Sequence, residues 1–176
     1  GFVRYSTVAQ NVAPQGAGAY TDAIQSLFDA DTIADNVSDH QGGGIYNQRG
    51  AFLENVILSN NEGGNCFATA PGFGAFNVER GASCGFTTSP IRPNLPNTDP
   101  LLGVLADNGG PTLTMALQPG SPAIDFVSSE IRINCQLNFD QRGYPRGRPR
   151  THNAQNDDVY LCDAGAAERT VPFVVT

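Results

Sequence analysis

The segment Thr7-Val8-Ala9-Gln10-Asn11 recurs as Thr32-Ile33-Ala34-Asp35-Asn36 and again as Val56-Ile57-Leu58-Ser59-Asn60, with the second spacing one residue shorter than the first. The flanking sequence keeps this period, since the Gly-rich segment that ends at Tyr20 returns as Gly42-Gly43-Gly44-Ile45-Tyr46. We predict that each unit contains a short strand, an Asn turn, a Gly-rich corner and a second strand. One unit cannot bury its own apolar face, but stacked units can.

Two ladders of equivalent residues run through these units. The first is predicted to be apolar and internal, and consists of Val8, Ile33 and Ile57. The second is predicted to be a stacked turn position, and consists of Asn11, Asn36 and Asn60. Asn suits such a position because it tolerates the left-handed conformation and can hydrogen-bond along a stack. The alternative is that three Asn residues in unrelated loops coincide by chance.

The repeat length indicates the fold class. A unit of about 24 residues with β-branched residues and Gly corners is typical of one coil of a parallel β-helix, whose strands are joined by corners and not by helices. A leucine-rich repeat has a similar period, but the Leu spacing that it requires is absent. We therefore predict an all-β parallel β-helix with about three visible coils.

The amino-acid composition agrees with this prediction and argues against two classes of protein, nucleic-acid-binding domains and membrane-spanning proteins. The 176 residues include 20 Gly and 12 Pro and are only 15% charged, which favours turns and short strands over long helices. All ten basic residues are Arg, and the formal net charge of −7 argues against a nucleic-acid-binding domain. No apolar run is long enough to span a membrane, and no charged-then-apolar leader opens the chain. We expect no membrane span, and either a mature product or a fragment.

The four cysteines predict an oxidising compartment. They are widely spaced, without a Cys-x-x-Cys motif and with only His40 and His152 as other soft ligands, which argues against zinc. Two disulfides in a secreted or cell-surface protein explain them better. Three connectivities are open. We predict the pairs that close the shortest loops, Cys66 with Cys84 and Cys135 with Cys162.

The periodicity is lost after about Gly64, and this divides the chain. We assign residues 1–64 to β-helix coils and residues 65–98 to a Gly/Pro-rich extension or cap. Residues 99–168, where short apolar segments alternate with turn clusters, form a C-terminal module, and residues 169–176 form a terminal strand or tail.

Five sequence blocks in this module resemble one known family. They are, in order, Asn97-Thr98-Asp99-Pro100-Leu101-Leu102-Gly103, Ala106-Asp107-Asn108-Gly109-Gly110-Pro111-Thr112, Pro119-Gly120-Ser121-Pro122-Ala123-Ile124-Asp125, Asp140-Gln141-Arg142-Gly143 and Cys162-Asp163-Ala164-Gly165-Ala166. This arrangement is similar to the C-terminal module of bacterial choice-of-anchor Q domain proteins. With the preceding Gly-Gly-Asn segments included, the resemblance covers about residues 30 to 168.

The resemblance implies a right-handed parallel β-helix of pectin-lyase-like shape in a bacterial secreted or surface protein. Members usually have a longer array of repeats upstream and an anchoring signal at the C-terminus. The final residues, Arg169-Thr170-Val171-Pro172-Phe173-Val174-Val175-Thr176, contain no sorting motif and no apolar anchor, so the resemblance does not extend to anchoring.

Cleavage of polysaccharides is the minority interpretation. Asn97-Thr98-Asp99 and Asp157-Asp158 are similar to motif fragments of polygalacturonases, which hold carboxylates on one face as acid and base. A third similar fragment, Arg132-Ile133-Asn134, precedes Asp157-Asp158 here, which is the wrong order, and no Gly-His-Gly follows. A lyase would need Ca²⁺ and a base, for which the candidates are Arg49 and the cluster of Asp29, Asp31, Asp35 and Asp39. Exposed corner aspartates explain this cluster better, since its spacing matches no calcium-binding loop, and we predict no enzyme.

Two further sets of charged residues are candidate binding sites. A structural Ca²⁺, the only cofactor we consider, would use Asp99, Asp107, Asp125, Asp140 and Asp163, for which turn capping is the favoured alternative. Contact with an acidic polysaccharide would use Arg142, Arg146, Arg148 and Arg150. Pairing of these Arg residues with the chain's own carboxylates is the favoured alternative, above all for Asp140 with Arg142.

These observations predict a secreted or cell-surface β-helix with a structural or adhesive role. The alternative is a carbohydrate-binding or carbohydrate-cleaving, pectin-lyase-like β-helix. Unpaired strand edges at both ends recruit further strands unless they are capped. We therefore expect copies of the chain to stack head to tail into a rod or filament, through the strand at residues 2–8 and the tail at residues 171–175. Upstream coils that cover the first edge are the competing explanation.

Overall fold

The computed structural model describes residues 1–23, 26–68, 74–128, 139–152 and 158–169, which form strands and no helix. The prediction of an all-β chain with parallel sheets is confirmed. In chain order the strands are β1 (Phe2–Arg4), β2 (Thr7–Ala9), β3 (Val12–Ala13), β4 (Ala19–Thr21), β5 (Ser26–Asp29), β6 (Thr32–Ala34), β7 (Val37–Ser38), β8 (Ile45–Asn47), β9 (Ala51–Glu54), β10 (Ile57–Ser59), β11 (Cys66–Ala68), β12 (Val78–Glu79), β13 (Leu102–Ala106), β14 (Thr114–Leu117), β15 (Val127–Ser128), β16 (Arg148–His152) and β17 (Asp158–Cys162).

The first twelve strands form four parallel sheets, and consecutive strands enter different sheets. The strand orders are β1-β5-β9, β2-β6-β10-β12, β4-β8-β11 and β3-β7. The chain therefore returns to the same sheet about once per repeat, one position further along. We call these parallel-paired residues, 2–79, the strand stack.

The register of the stack differs from the sequence prediction by one residue. Ile33 pairs with Val8 on one side and with Leu58 on the other, so the two steps of the repeat are equal in length. The third member of the internal ladder is therefore Leu58 and not Ile57. Ile57 is in register with Thr32 and lies on the opposite face of its strand.

Alternation along the strands creates two apolar cores. The inner core lies within the stack and includes Phe28, Ile33, Ile45, Leu53 and Leu58. The outer core lies between the stack and the C-terminal module and includes Ile57, Phe76, Val78, Leu117, Ala123, Val127 and Ala164. We call the four-stranded sheet β2-β6-β10-β12 the central sheet. One of its faces packs inside the stack, and the other is covered by the module.

The strand stack continues past residue 64, where the sequence prediction ended it. Strand β11 pairs in parallel with β8, and β12 with β10. A Cys66–Cys84 disulfide then ties loop 81–86 across this end of the stack, where Phe86 joins the inner core. Residues 65–98 thus supply a further partial repeat and a cap. The sequence did not show this continuation because the next repeat, measured from Ile57 to its partner Val78, is shorter than the two before it.

The C-terminal module docks against the outer face of the central sheet. Its own strands are antiparallel, with β13 paired to β14 and β17 lying between β15 and β16. The Gly165 N–H donates to the Asn55 carbonyl at 2.7 Å, and the Ala166 N–H donates to the Thr32 hydroxyl at 3.0 Å. Gly165 has φ of 92°, and a Cβ there would lie 2.7 Å from Ile57 Cδ1, so the contact requires glycine.

Within the described ranges, no helix has the length and apolar character needed to cross a membrane.

Candidate functional site

An Asn ladder lines one corner of the strand stack. Asn36 Nδ2 donates to Asn61 Oδ1 at 2.9 Å, and Asn11 Nδ2 donates to Asn36 Oδ1 at 2.9 Å. Asn61 in turn donates to Asn65 Oδ1 at 2.9 Å. Each amide thus replaces hydrogen bonds that the turning backbone cannot make, which satisfies buried polar groups along the stack.

The ladder passes through Asn61 and not through the predicted Asn60. Asn60 is exposed, has φ of 55° and accepts a hydrogen bond from Arg80 Nη1 at 2.8 Å. The sequence prediction placed the ladder at Asn60 because its register was wrong by one residue. Asn60 and Asn61 are both Asn, so the sequence pattern did not reveal the error. The left-handed Asn60 turns the chain so that Asn61 points inward.

A second polar ladder at the opposite corner of the central sheet was missed in the sequence. Asn94 Oδ1 accepts from the Asn77 backbone N–H at 3.0 Å, and Asn77 Oδ1 accepts from the Val56 N–H at 2.9 Å. In the earlier repeat Asp31 takes this position and accepts from the Ser6 N–H at 2.9 Å. The signal that could have revealed it is the polar residue immediately before β2, β6 and β12, although Val56 interrupts the series before β10.

Arg146 lies at the centre of a buried charged cluster of the C-terminal module that faces the first repeat of the stack. Its guanidinium donates to the carbonyls of Gly165 and Asp163, at 2.9 and 2.5 Å, and lies 3.2 Å from the Glu168 carboxylate. The Arg146 and Glu168 side chains are only 3% and 8% exposed. The Tyr5 ring, from the first repeat, lies 5.8 Å from the guanidinium carbon. We call these contacts the Arg146 junction.

Arg142 forms a second buried pair beside the junction. Its Nη2 lies 2.6 Å from Asp140 Oδ2 and also donates to the Glu168 carbonyl. Asp140 Oδ2 accepts from the Glu168 N–H at 3.0 Å, so one carboxylate connects two segments of the module. This is the intramolecular pairing that was the favoured alternative for these residues.

Burial controls the protonation of the carboxyl groups around the junction. It raises the pKa of Asp31 to about 7, and it outweighs the attraction of Arg146 and raises the pKa of Glu168 to about 8. Burial also raises the pKa of Asp163 above its ordinary value. Near neutral pH the site therefore contains carboxyl groups that have not all ionised.

The predicted polyanion site is not supported for two of its four residues. Arg142 and Arg146 are buried and paired within the protein, so neither presents a charge to an external ligand. Arg148 and Arg150 lie on strand β16, and their side chains fall outside the described part of the structure.

The aspartates considered for calcium are used in turns or in the junction. Asp99, Asp107 and Asp140 accept backbone N–H bonds from residues two positions later, at 2.9, 3.0 and 2.9 Å. Asp163 accepts from the Asp125 N–H at 2.7 Å, which links the third and fifth blocks of the module. In the described ranges, no group of three or more His, Cys, Asp or Glu side chains is arranged to hold a metal ion.

Among the described residues, Arg49 does not join the aspartates considered for polysaccharide cleavage. Arg49 forms an exposed ion pair with Asp22 at 3.0 Å and not with the cluster from Asp29 to Asp39, in which Asp31 is buried. Asp157 and the Asp158 side chain lie outside the described residues.

The second predicted disulfide is described at one of its two cysteines. Cys162 is disulfide-bonded, and its predicted partner Cys135 lies outside the described residues.

One end of the strand stack is open and the other is covered. Phe2 and Val12 in the first repeat are 77% and 74% exposed, and strands β1, β2, β3 and β4 are all edge strands on the same side. At the opposite end, Glu79 Oε1 accepts from the Cys84 N–H at 3.1 Å and from the Ser83 hydroxyl at 3.0 Å. These bonds hold the disulfide loop over the inner core.

A row of stacked rings also ends at the open side. Tyr46 lies between Tyr20 and Phe67, with ring centroids 5.2 and 5.0 Å apart, because these residues are in register on β4, β8 and β11. Tyr20 is the terminal ring and is half exposed. The outer side of the first repeat therefore combines free backbone edges, an open apolar core and an aromatic ring.

Comparison with models of protein families, with curated proteins and with solved structures gave no match to this chain. The functional proposal therefore rests on the geometry of the stack, the Arg146 junction and the open end.

Proposed function

We propose that the protein is a secreted or cell-surface structural module with an adhesive or spacer role. In this proposal the repeats form successive coils of a right-handed parallel β-helix, and the C-terminal module is of the choice-of-anchor Q type. The parallel sheets and the return of the chain to the same sheet once per repeat support the helix. The Cys66–Cys84 disulfide supports an oxidising compartment.

The observation that carries the structural role is the use made of the buried charged groups. Arg146 and Arg142, with Asp140 and Glu168, bind one another and nearby carbonyls inside the C-terminal module, and the Arg146 guanidinium also contacts the Tyr5 ring of the stack. Catalytic acids and bases must reach a substrate. Here the most strongly perturbed carboxyl groups are instead buried and accept hydrogen bonds from the protein's own backbone, Glu168 from Asp163 in the module and Asp31 from Ser6 in the stack.

A carbohydrate-binding role is the second candidate, and the aromatic row supports it. Tyr20 presents a half-exposed ring beside the exposed Asp22–Arg49 pair, and rings with neighbouring polar groups can contact sugars. Binding of this kind is compatible with an adhesive role and needs no catalytic group.

The structural role predicts that the chain cleaves no polysaccharide. Purified protein incubated with polygalacturonate, pectin and neutral glycans should release no reducing ends and no unsaturated products above a heat-denatured control. In parallel, beads coated with the protein should adhere to a polysaccharide surface more firmly than beads coated with the reduced, unfolded chain. Turnover that Asp158→Ala abolishes would overturn the proposal in favour of an enzyme.

Head-to-tail stacking of copies stays a prediction. The structure gives it one open edge, in the first repeat, whereas loop 81–86 covers the inner core at the other end. Residues 170–176, which include the tail expected to pair, lie outside the described residues.

A further inference from the structure

We propose that the buried Glu79 carboxylate protects the Cys66–Cys84 disulfide from thiol reductants, and so keeps the covered end of the strand stack closed. Glu79 is a positioning residue here, since it acts through Cys84 and forms no bond to the reductant. The residues involved lie in the interior of the chain, between β10 and the end of loop 81–86. This protection goes beyond the structural role proposed above and does not depend on an adhesive ligand.

Glu79 places a carboxylate where the repeat otherwise has an apolar side chain. It is in register with Leu58, which follows Val8 and Ile33 in the internal ladder, and it is fully buried. Burial of a carboxylate is unfavourable unless its hydrogen bonds are satisfied. Here Oε2 has no hydrogen-bond partner among the described residues. Packing alone would favour an apolar residue at this position, so the carboxylate needs another explanation.

The other oxygen of Glu79 organises the disulfide loop. Oε1 accepts hydrogen bonds from the Cys84 N–H at 3.1 Å, the Ser83 hydroxyl at 3.0 Å and Asn65 Nδ2 at 3.3 Å. The Ser83 hydroxyl oxygen accepts in turn from the Cys66 N–H at 3.2 Å. Glu79 and Ser83 therefore hold the backbones of both cysteines, and the carboxylate lies one hydrogen bond from Cys84.

The Asn ladder ends on the same carboxylate. Asn36 donates to Asn61, and Asn61 donates to Asn65. Asn65 then donates to Glu79. These side-chain amides all donate in one direction, so the series ends at a group that accepts, and an ionised carboxylate only accepts. The last hydrogen bond of the ladder is therefore made to a charged acceptor, which is the stronger kind.

Burial decides which sulfur a thiol can attack. Cys84 is 6% exposed and belongs to the inner core, whereas Cys66 is only partly buried. An external thiolate therefore reaches the Cys66 sulfur and forms a new S–S bond there. The Cys66–Cys84 bond breaks, and its electron pair leaves on the Cys84 sulfur as a thiolate. A second thiolate of the same reductant, a dithiol, then displaces Cys66, so that the dithiol is oxidised and the protein disulfide is reduced.

The leaving thiolate forms in an unfavourable environment. Cys84 lies in an apolar core beside the Glu79 carboxylate, and among the described residues no cation contacts that carboxylate. A buried thiolate next to a negative charge is destabilised. A thiol that is harder to ionise is also a poorer leaving group. The carboxylate therefore slows the step that opens the loop and favours the closed disulfide at equilibrium.

Glu79→Gln tests the proposal because it removes the charge and keeps an oxygen that can accept from the Cys84 N–H. The probe is excess dithiothreitol at pH 8, and the opened form is trapped with iodoacetamide and measured by mass spectrometry as alkylated Cys66 and Cys84. We expect the disulfide to open about tenfold faster in Glu79→Gln than in the parent protein, because the leaving thiolate no longer faces a like charge. In concentrated guanidinium chloride the two proteins should react at the same rate.

Ser83→Ala is the matched control for a loosened loop. It removes the hydrogen bonds to Glu79 and to the Cys66 N–H but leaves the carboxylate in place. If loosening alone explained the faster reaction, Ser83→Ala would open as fast as Glu79→Gln. We expect it to open more slowly than Glu79→Gln.

The pKa of the Cys84 thiol gives a second test that does not require the Glu79 variant. In Cys66→Ser the Cys84 thiol has lost its disulfide partner, and the pH dependence of its alkylation by iodoacetamide measures its pKa. We expect a value above the ordinary one of about 8.5. Adding Glu79→Gln should lower this value, whereas a role of Glu79 in packing alone would leave it unchanged.

Three results would overturn the proposal. They are a rate of opening in Glu79→Gln that does not exceed that of Ser83→Ala, a Cys84 thiol pKa in Cys66→Ser at or below its ordinary value, and a thiol pKa that Glu79→Gln does not lower. None of these results bears on adhesion or on polysaccharide turnover, so the proposed structural role is tested separately.

Discussion

Replacing Arg146 with alanine should lower the free energy of unfolding by about 3–5 kcal/mol, the usual cost of removing one partner from a buried ion pair. The Arg146 guanidinium bonds the carbonyls of Asp163 and Gly165 and pairs with Glu168. The variant would leave all three groups buried without their partner. Because Glu168 ionises as the pH rises, the loss should be greater at pH 8.5 than at pH 5.

Arg49→Ala is the matched control, because it also removes an Arg that is paired with a carboxylate. The Arg49 and Asp22 side chains are 56% and 54% exposed, and an exposed pair contributes less than about 1 kcal/mol. Denaturant unfolding of both variants at pH 8.5, where Glu168 is largely ionised, gives the comparison. If Arg146→Ala cost no more than Arg49→Ala, the junction would not stabilise the C-terminal module.

Raising the pH from about 4 to above 8 should destabilise the fold by several kcal/mol. The pKa of Asp31 is raised to about 7 and that of Glu168 to about 8 in the folded protein, against about 4 in the unfolded chain. Their stabilisation is complete below the unfolded value and is lost as the pH rises through the folded values. A pKa difference of one corresponds to about 1.4 kcal/mol, so Asp31 alone contributes on the order of 4 kcal/mol.

Asp31→Asn should flatten much of this pH dependence. The position suits Asn, since Asn77 and Asn94 occupy the equivalent place in later repeats, and the amide oxygen can still accept the Ser6 N–H. The variant should be more stable than the parent protein at pH 8.5. Asp22→Asn, on the exposed surface, should keep the parent's profile. Thermal unfolding of the three proteins across the same pH range tests this prediction. If the stability of Asp31→Asn fell with pH as steeply as that of the parent protein, the raised pKa would not belong to Asp31.

The repeat was accessible from sequence because its apolar and Gly positions recur, but its register was not. Asn60 and Asn61 are adjacent, and Ile57 and Leu58 are both apolar, so two alignments that differ by one residue preserve the pattern equally well. The structure decides for the longer spacing because the left-handed Asn60 directs Asn61 inward to Asn36. A one-residue shift moves a side chain to the other face of a strand, which is why Ile57 belongs to the outer core.

The Arg146 junction could be predicted only in part. The Asp140–Arg142 pairing follows from two charged residues in one turn. The environment of Asp31 does not, since Arg146 and Glu168 lie in the last quarter of the sequence. The composition favoured aspartates that are solvated at the corners of the repeats. Asp31 is instead buried, because the C-terminal module covers this face of the stack. Gly165, whose missing Cβ allows that contact, resembles any other loop glycine in the sequence.

Backbone NOEs in isotope-labelled protein report on the in-register stacking of the repeats, from which the two cores and both polar ladders follow. The structure predicts cross-strand contacts from Ile33 to Val8 and from Ile33 to Leu58, in the pattern of parallel strands. The Asn36 side-chain amide should likewise show contacts to Asn61. Contacts that place Ile33 opposite Ile57, or that show the antiparallel pattern, would contradict the in-register stack.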